Sequence, residues 1–284
     1  MARKKKSVGK KSRGKKKRGR GSQARRADKY SLYQEAVQDP EADVQFLKRV
    51  FEKHYGRPPL LLREDFCGAA ALACCWVSNR AKHRAWGVDI DSEPLGWGRE
   101  HNLAALSAEQ CGRVELLQGD VMVVTHEAVD VTVACNFSYF LFQTRPQLLA
   151  YLRKTHSTLR DEGLLMLDAY GGADAQQTMT ETREHDGFDY VWDQDRFDPI
   201  THRAVNHIHF EFPDGSRMQK AFSYDWRLWS LPELRDLLLE AGFSDCEVYW
   251  EGTDRKTNEG NGIYYKASRA LDDPAWVAYI VGVR

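Results

Sequence analysis

The chain has 284 residues, of which 42% are hydrophobic and 11% aromatic, enough for a substantial core. Its formal net charge is zero, but residues 1–26 contain 14 lysines or arginines and no acid. The rest of the chain carries the other 27 basic residues and all 41 acidic residues, a net charge of −14. No segment has the roughly 18–20 apolar residues of a membrane span, and six scattered cysteines without a Cys-x-x-Cys pair argue against a zinc site.

Residues 1–28 form a basic tail with almost no apolar side chains. Such a segment cannot bury enough surface to offset its chain entropy, so we expect it to be disordered. Residues 1–26 favour contact with RNA or another polyanion, the alternative being a solubilising arm that folds against the acidic body. Reduced cysteines indicate a cytoplasmic protein, or a nuclear one if the source is eukaryotic, where the tail fits an import signal.

Residues 29–58 are predicted to be helical and to form a lid. Tyr30 and Tyr33 lie at the start of this segment, where they can fold over a bound cofactor. Apolar residues recur at helical spacing in its second half, at Val44, Leu47, Val50 and Phe51.

Residues 59–172 alternate between apolar runs typical of strands and amphipathic segments typical of helices. Strands separated by helices indicate a mostly parallel, doubly wound sheet. Right-handed crossovers place the C-terminal ends of its strands along one edge, which is where ligands bind. The predicted strands are 59–64, 84–91, 114–120, 129–137 and 163–170, and the predicted helices are 70–80, 92–107 and 144–163.

After residue 172 the pattern changes to alternating or aromatic-rich segments, at 188–197, 202–212 and 217–229. The last two flank the turn sequence PDGS, which predicts an antiparallel hairpin, so we interpret 173–229 as a β insertion on the substrate side. Residues 230–284 are predicted to return to the core with a helix, a strand, a long polar loop and a closing strand. The predicted fold class is α/β, with a doubly wound, mostly parallel, seven-stranded Rossmann-like sheet and an antiparallel β insertion.

Polar residues follow the first four predicted strands. EDFCGAA follows the first, Asp89 ends the second, Asp120 ends the third, and NFSYF follows the fourth. A carboxylate at the second strand end suits a ribose diol, Asp120 suits an adenine amino group, and Glu64 and Asp65 suit an ammonium. Several acids favour a cationic ligand and repel a pyrophosphate. The pattern therefore favours a sulfonium cofactor over a nicotinamide dinucleotide, which also needs phosphate-binding glycines.

In this order the motifs resemble those of the class I S-adenosylmethionine-dependent methyltransferases, over residues 59–172 and 230–284. The resemblance implies a methyltransferase with S-adenosyl-L-methionine as its cofactor. It also implies specific roles: the methionine part is lined by Glu64 or Asp65, Cys67 and Gly68, the ribose is held by Asp89, the adenine is contacted by Asp120 and Val121, and the pocket is closed near the methyl group by Asn136 and Phe137.

The first turn departs from the family motif, because Phe66, Ala69 and Ala70 stand where glycines are common. Alanine costs little at negative φ, whereas phenylalanine at positive φ is strained. The sequence leaves both signs of φ open at Phe66: a negative φ would make this a mild variant of the family's turn, and a positive φ would mean that the register is shifted by one residue.

Methyl transfer is an in-line displacement that needs a base only if the acceptor carries a proton. Asp168 and Tyr139 are the candidate catalytic residues, although Asp168 is equally explained as a structural acid. The candidate acceptor-binding residues are Tyr30, Tyr33, Trp226 and Arg227, the alternative for the aromatic hairpin being core packing. No metal site is predicted, because His207 and His209 lack a third ligand and are interpreted as a solvated polar face.

The acceptor stays open between a small molecule, which the β insertion favours, and a macromolecule, which the basic tail favours. The Asn-Pro-Pro-aromatic signature of DNA and RNA amino-methylases is absent, since NFSY contains no proline. A second hypothesis is a non-catalytic protein with a methyltransferase fold that binds nucleic acid through its tail, and the missing glycines are its main support.

Overall fold

A computed structural model describes residues 21–253 and 260–284. The described helices are α1 (Gln23–Arg26), α2 (Lys29–Val37), α3 (Pro40–Tyr55), α4 (Ala71–Asn79), α5 (Ser92–Gly98), α6 (Ala108–Cys111), α7 (Arg145–Thr158) and α8 (Leu231–Ala241). The described strands are β1 (Leu61–Asp65), β2 (Arg84–Asp89), β3 (Val114–Gln118), β4 (Val129–Ala134), β5 (Leu159–Gly171), β6 (Met179–His185), β7 (Phe188–Asp198), β8 (Arg203–Glu211), β9 (Arg217–Arg227), β10 (Asp245–Thr253), β11 (Gly260–Lys266) and β12 (Trp276–Val283). None of the described helices is long and apolar enough to cross a bilayer.

Eight strands form the central sheet, in the order β3-β2-β1-β4-β5-β12-β10-β11. Strands β1 to β5 are parallel, whereas β12 runs antiparallel to β5 and β10, and β10 runs antiparallel to β11. The mostly parallel, doubly wound, Rossmann-like sheet is therefore confirmed. The predicted number of seven strands is one too low, because β11 lies in the segment interpreted as a polar loop and its side chains are almost all exposed.

Helices cover both faces of the central sheet. Helices α3 and α4 pack with Leu62, Val131 and Met166 on one face, whereas α7 and α8 pack on the other face. Helix α3 is thus a core element, with Val44 and Phe51 fully buried. Of the segment predicted as a lid, only α2 lies outside this core, because the apolar face of α3 is the face that covers the sheet.

The antiparallel insertion is a separate four-stranded sheet in the order β6-β7-β8-β9. Strands β8 and β9 form the predicted hairpin around PDGS, where Gly215 has a φ of 76°. Strand β6 escapes sequence analysis because nearly all of its side chains are exposed, so no apolar alternation marks it. The apolar side chains of α2 and this sheet pack together in a third core cluster.

Residues 21–28, the end of the segment expected to be disordered, are folded in the structure. The Gln23 N–H donates to Asp214 Oδ2 (2.8 Å) and the Ala24 N–H donates to Ser216 Oγ (3.0 Å), so α1 is attached to the β8–β9 hairpin. Asp28 caps α2, because its side chain accepts from the backbone amides of Tyr30 and Ser31. The remainder of the predicted tail, residues 1–20, lies outside the described residues.

Candidate functional site

The turn after β1 has several residues with positive φ, the conformation that favours glycine, although only one of them is a glycine. Phe66, Gly68 and Ala70 have φ values of 56°, 52° and 57°. Of the two alternatives at Phe66, the structure has the positive φ, which was expected to accompany a shifted register, yet Gly68 is still the residue of this turn whose N–H reaches Asp89 Oδ2, at 2.8 Å. A left-handed non-glycine residue costs about 1–3 kcal/mol, and packing of the Phe66 ring on Tyr151 (centroids 5.7 Å apart) helps to hold it.

Asp89 lies at the end of β2 and faces this turn. Besides the Gly68 bond, its Oδ1 accepts from the Asp91 N–H at 2.9 Å. Each carboxylate oxygen accepts about two hydrogen bonds, so capacity for a ribose diol remains. The Cys67 side chain is buried, and the Cys67 backbone N–H donates to the Val88 carbonyl (3.0 Å), which attaches the turn to β2.

The loop after β3 lies beside Asp89, because the Gly119 N–H donates to the Asp89 carbonyl at 2.8 Å. Asp120 is exposed and its Oδ1 accepts from the Met122 N–H at 2.8 Å. The Val121 side chain is buried, and its N–H has no hydrogen-bond partner within residues 21–253 and 260–284. Sequence reasoning did not select Ile90, whose apolar side chain is 71% exposed directly after Asp89.

The two acids at the end of β1 face opposite sides of the sheet. Asp65 is 2% exposed and accepts from Arg63 Nε (2.5 Å) and from the Tyr151 hydroxyl (2.9 Å). Asp65 therefore balances a buried arginine and does not line the ligand edge. Glu64 is buried on the other face, where its Oε2 accepts from the Ala73 N–H at 2.8 Å.

Glu64 shares its face with two further carboxyl groups. Cross-strand partners point to the same face, and the registers of β1, β4 and β5 place Asp168 on the Glu64 side. Asp168 of β5 pairs with Tyr279 of the neighbouring antiparallel strand β12. The Tyr279 hydroxyl donates to Asp43 Oδ1 of α3 at 2.5 Å. Sequence analysis missed Asp43, since an acid in the first turn of a helix is an ordinary feature.

These three carboxyl groups, which we call the acid triad (Asp43, Glu64 and Asp168), have raised pKa values. Burial raises the pKa of Glu64 to about 8, and repulsion from Asp43 and Asp89 adds to the rise. The hydrogen bond from the Ala73 N–H lowers the pKa, but by less than burial raises it. Burial also raises the pKa of Asp168 to about 7 and that of Asp43 to about 6. No ion pair among the described residues includes any member of the acid triad. Within residues 21–253 and 260–284, the edge therefore holds carboxyl groups that have no protein cation to stabilise their ionised forms, so they keep their protons to a higher pH than ordinary carboxyl groups do.

The predicted catalytic pair has structural contacts. Asp168 accepts from the N–H groups of Asn136 (2.7 Å) and Phe137 (2.8 Å), which have φ values of 57° and 56°. Its carboxylate thus fixes the turn after β4, because each of its two oxygens accepts one of these hydrogen bonds. Tyr139 is fully buried and its hydroxyl donates to the Asp168 carbonyl at 2.9 Å, so its prediction as a catalytic residue is wrong.

An aromatic wall stands beside the turn after β4. It consists of Trp192, Tyr224 and Trp226 on the inner face of the second sheet, together with Phe137 and Tyr170. The Tyr224 and Trp226 rings stack at 4.3 Å, and Phe137 lies 6.1 Å from Trp226 and 4.7 Å from Tyr170. Trp226 is buried, whereas Trp192 and Tyr224 stay partly exposed. The hairpin therefore both packs as core and offers an aromatic surface.

Helix α2 bridges the two sides of this region. Tyr33 packs on Phe222 of β9 (4.9 Å), and Tyr30 lies between Phe222 (5.9 Å) and Trp97 of α5 (5.6 Å). The Trp97 indole donates to Asp28 at 2.8 Å. The predicted acceptor residues Tyr30 and Tyr33 thus connect the helix that follows Asp89 to the sheet that carries the aromatic wall.

Three other predicted residues lie away from this region. Arg227 follows Trp226 on β9, so it faces outward, where it bonds to Glu233 (2.9 Å) and covers the Trp229 ring. His207 and His209 lie on the outer face of β8, and they are buried, which contradicts the expected solvated face. Side chains of the flanking strands cover them: His209 contacts Asp193 (3.1 Å) and His207 contacts Ser223 (2.8 Å).

Comparisons with known proteins identify the fold. No family model matches the sequence, and no curated protein is significantly similar to it. A methyltransferase dependent on S-adenosylmethionine from Clostridium acetobutylicum is 15% identical with a TM-score of 0.61, over 89% of this chain and 97% of that one. The sugar N-methyltransferase KedS8 from Streptoalloteichus sp. is 17% identical with a TM-score of 0.60, over 98% of each chain. CalS10, an amino pentose methyltransferase from Micromonospora echinaspora solved with S-adenosylmethionine bound, is 12% identical with a TM-score of 0.61, over 89% and 96%.

The chain has the fold of the S-adenosylmethionine-dependent methyltransferases. In this methyltransferase fold, the first turn, Asp89 and Asp120 follow three neighbouring parallel strands, the arrangement that the sequence resemblance implied. The acid triad lies on one face of the same edge.

The raised pKa values predict that the protein is less stable at pH 8 than at pH 6. In the unfolded chain carboxyls ionise at about pH 4, whereas folded Glu64 and Asp168 keep their protons up to about 8 and 7. The folded state binds more protons in that window, so its free energy of unfolding falls as pH rises. Thermal denaturation across this pH range measures the effect.

Glu64→Gln should weaken this pH dependence, because the amide cannot ionise, whereas Glu100→Gln at an exposed site is the matched control. If the Glu64→Gln profile ran parallel to that of the wild type, Glu64 would not be a buried protonated carboxyl.

Proposed function

We propose that the protein is an S-adenosylmethionine-dependent methyltransferase. The observation that carries the proposal is the acid triad: Glu64 and Asp168 are buried and Asp43 is half-buried at one face of the ligand-binding edge, and none has an ion-pair partner among the described residues. A bound cation stabilises buried carboxylates, whereas an anion would add to their repulsion. When bound, S-adenosylmethionine supplies a methyl group on a positively charged sulfur and also carries an ammonium group.

Three consecutive strand ends offer groups for the rest of this cofactor. Glu64 after β1 suits the ammonium, Asp89 after β2 suits the ribose hydroxyls, and Asp120 with the Val121 N–H after β3 suits adenine. The bonds from Gly68 and Gly119 to Asp89 hold the three ends in fixed relation. Preorganised groups of this kind lower the cost of binding.

We further propose that the acceptor is a nitrogen atom of a small molecule. A hydroxyl acceptor needs a base, but Asp168 is 7% exposed and is held against the backbone of the turn after β4, and Tyr139 is fully enclosed. A neutral amine carries its own lone pair. Methyl transfer moves positive charge from the sulfur to this nitrogen, and the partly exposed rings of Trp192 and Tyr224 suit a cation.

The functions of the similar structures agree with this choice, because they include a sugar N-methyltransferase and an amino pentose methyltransferase. The competing hypothesis, a non-catalytic binding module, differs in one respect that binding experiments detect, namely affinity for the cofactor.

Isothermal titration calorimetry should show that S-adenosylmethionine binds the wild-type protein, and that it binds more tightly at pH 8 than at pH 6, because the acid triad is more ionised. Asp89→Ala should weaken binding by about tenfold or more through loss of the ribose contact. Asp186→Ala, at an exposed turn of the second sheet, is the matched control. A wild-type protein that binds no cofactor would refute the enzyme hypothesis.

Methyl-transfer assays with pairs of small molecules that differ only by an amine in place of a hydroxyl should yield product from the amine alone. Trp192→Ala should lower kcat/KM for the amine by about tenfold without changing cofactor affinity. Trp250→Ala replaces a partly buried tryptophan of β10 and serves as the control. Methylation of the hydroxyl member only would show that the acceptor assignment is wrong.

A further inference from the structure

A charged arginine lies inside the central strand of this fold. Arg63 is on β1, between β2 and β4, and is 2% exposed. A buried guanidinium is costly unless it is paired and its donors are used. Its ionic partner is Asp65, which is also 2% exposed and accepts from Nε at 2.5 Å.

The other donors of Arg63 reach the loop after β3. Nη2 donates to the Val121 carbonyl at 2.8 Å, and Nη1 donates to the Val124 carbonyl at 3.1 Å. The same loop is closed internally, since the N–H groups of Val123 and Val124 both donate to the Asp120 carbonyl at 2.9 Å. One side chain from β1 therefore holds the backbone of a loop that lies two strands away in the sheet.

We infer that Arg63 is a positioning residue for the adenine end of the cofactor site. The inference rests on the proposed function, which places adenine at Asp120 and the Val121 N–H. Arg63 acts through the Val121 and Val124 carbonyls, because its own side chain is buried beneath the loop. Charge-assisted bonds from a rigid planar group fix two carbonyls at once, which a lysine ammonium at a single atom does not reproduce.

The same geometry explains the charged triplet Arg63-Glu64-Asp65 in a buried strand. Alternate side chains of a strand point to opposite faces. Glu64 therefore joins the acid triad on one face, while Arg63 and Asp65 form a neutral pair on the other, where Tyr151 donates to Asp65 at 2.9 Å. The triplet serves both ends of the proposed cofactor, the ammonium through Glu64 and the adenine through Arg63.

The test compares two ligands by calorimetry, S-adenosylhomocysteine and S-inosylhomocysteine, in which a carbonyl replaces the adenine amino group. The wild-type protein should prefer the adenine ligand. Arg63→Lys should weaken S-adenosylhomocysteine binding by about tenfold and reduce that preference, because the loop is no longer fixed. Asp89→Ala should weaken both ligands alike and keep the preference, since it acts on the ribose.

Tyr151→Phe is the control for a general loss of packing, because it removes a bond to Asp65 and leaves the bonds from Arg63 to the loop. Hydrogen exchange gives a readout that needs no ligand. The amides of Val123 and Val124 should exchange faster in Arg63→Lys than in Tyr151→Phe.

An unchanged ligand preference in a folded Arg63→Lys protein, or equal exchange of the two amides in both variants, would overturn the role of Arg63. A wild-type protein that binds neither ligand would instead overturn the proposed function and, with it, the assignment to adenine. The exchange data would then still show whether Arg63 holds the loop.

Discussion

A cluster of carboxyl groups at the C-terminal edge of the central sheet, with no ion-pair partner among the described residues, is the constraint on which the rest of this site depends. Glu64 and Asp168 point to the same face, and Asp43 reaches them from α3 through its bond with Tyr279. Burial favours their protonated forms, and none has an ion-pair partner among the described residues. Such an edge is suited to a cation, which is why Glu64 of the first motif matters as much as its single glycine.

Backbone strain is concentrated at the same edge. Phe66 and Ala70 in the first turn, and Asn136 and Phe137 after β4, all have positive φ. Strained residues persist only where surrounding contacts hold them. Here Asp168 binds the two amides after β4, and the Phe66 ring packs on Tyr151. Asp168 is therefore both a member of the acid triad and the residue that shapes the turn after β4.

Sequence patterns were sufficient to place the five parallel strands along the chain and to identify the residues at their ends, because buried strands and the acids that follow them have distinct composition. Sequence patterns were not sufficient to predict which face of the sheet an individual side chain points to. Glu64 and Asp65 are both acids at the end of β1, so the sequence does not distinguish them. Because alternate side chains of a strand point to opposite faces, Asp65 lies on the face of Arg63 and pairs with it. Tyr139 follows β4 like its neighbours, yet its hydroxyl turns inward to the Asp168 carbonyl. Strands β6 and β11 are held by backbone pairing rather than by an apolar face, so no pattern marks them.

Counting the protons that are released when S-adenosylmethionine binds at pH 7 is the most direct test of the role of the acid triad. Calorimetry in buffers of different ionisation enthalpy gives this number. Because Glu64 and Asp168 have raised pKa values, binding of the cation should release protons from the wild-type protein, and fewer from Glu64→Gln. Binding without proton release, or with equal release from both proteins, would contradict the claim that buried carboxyls hold the cofactor.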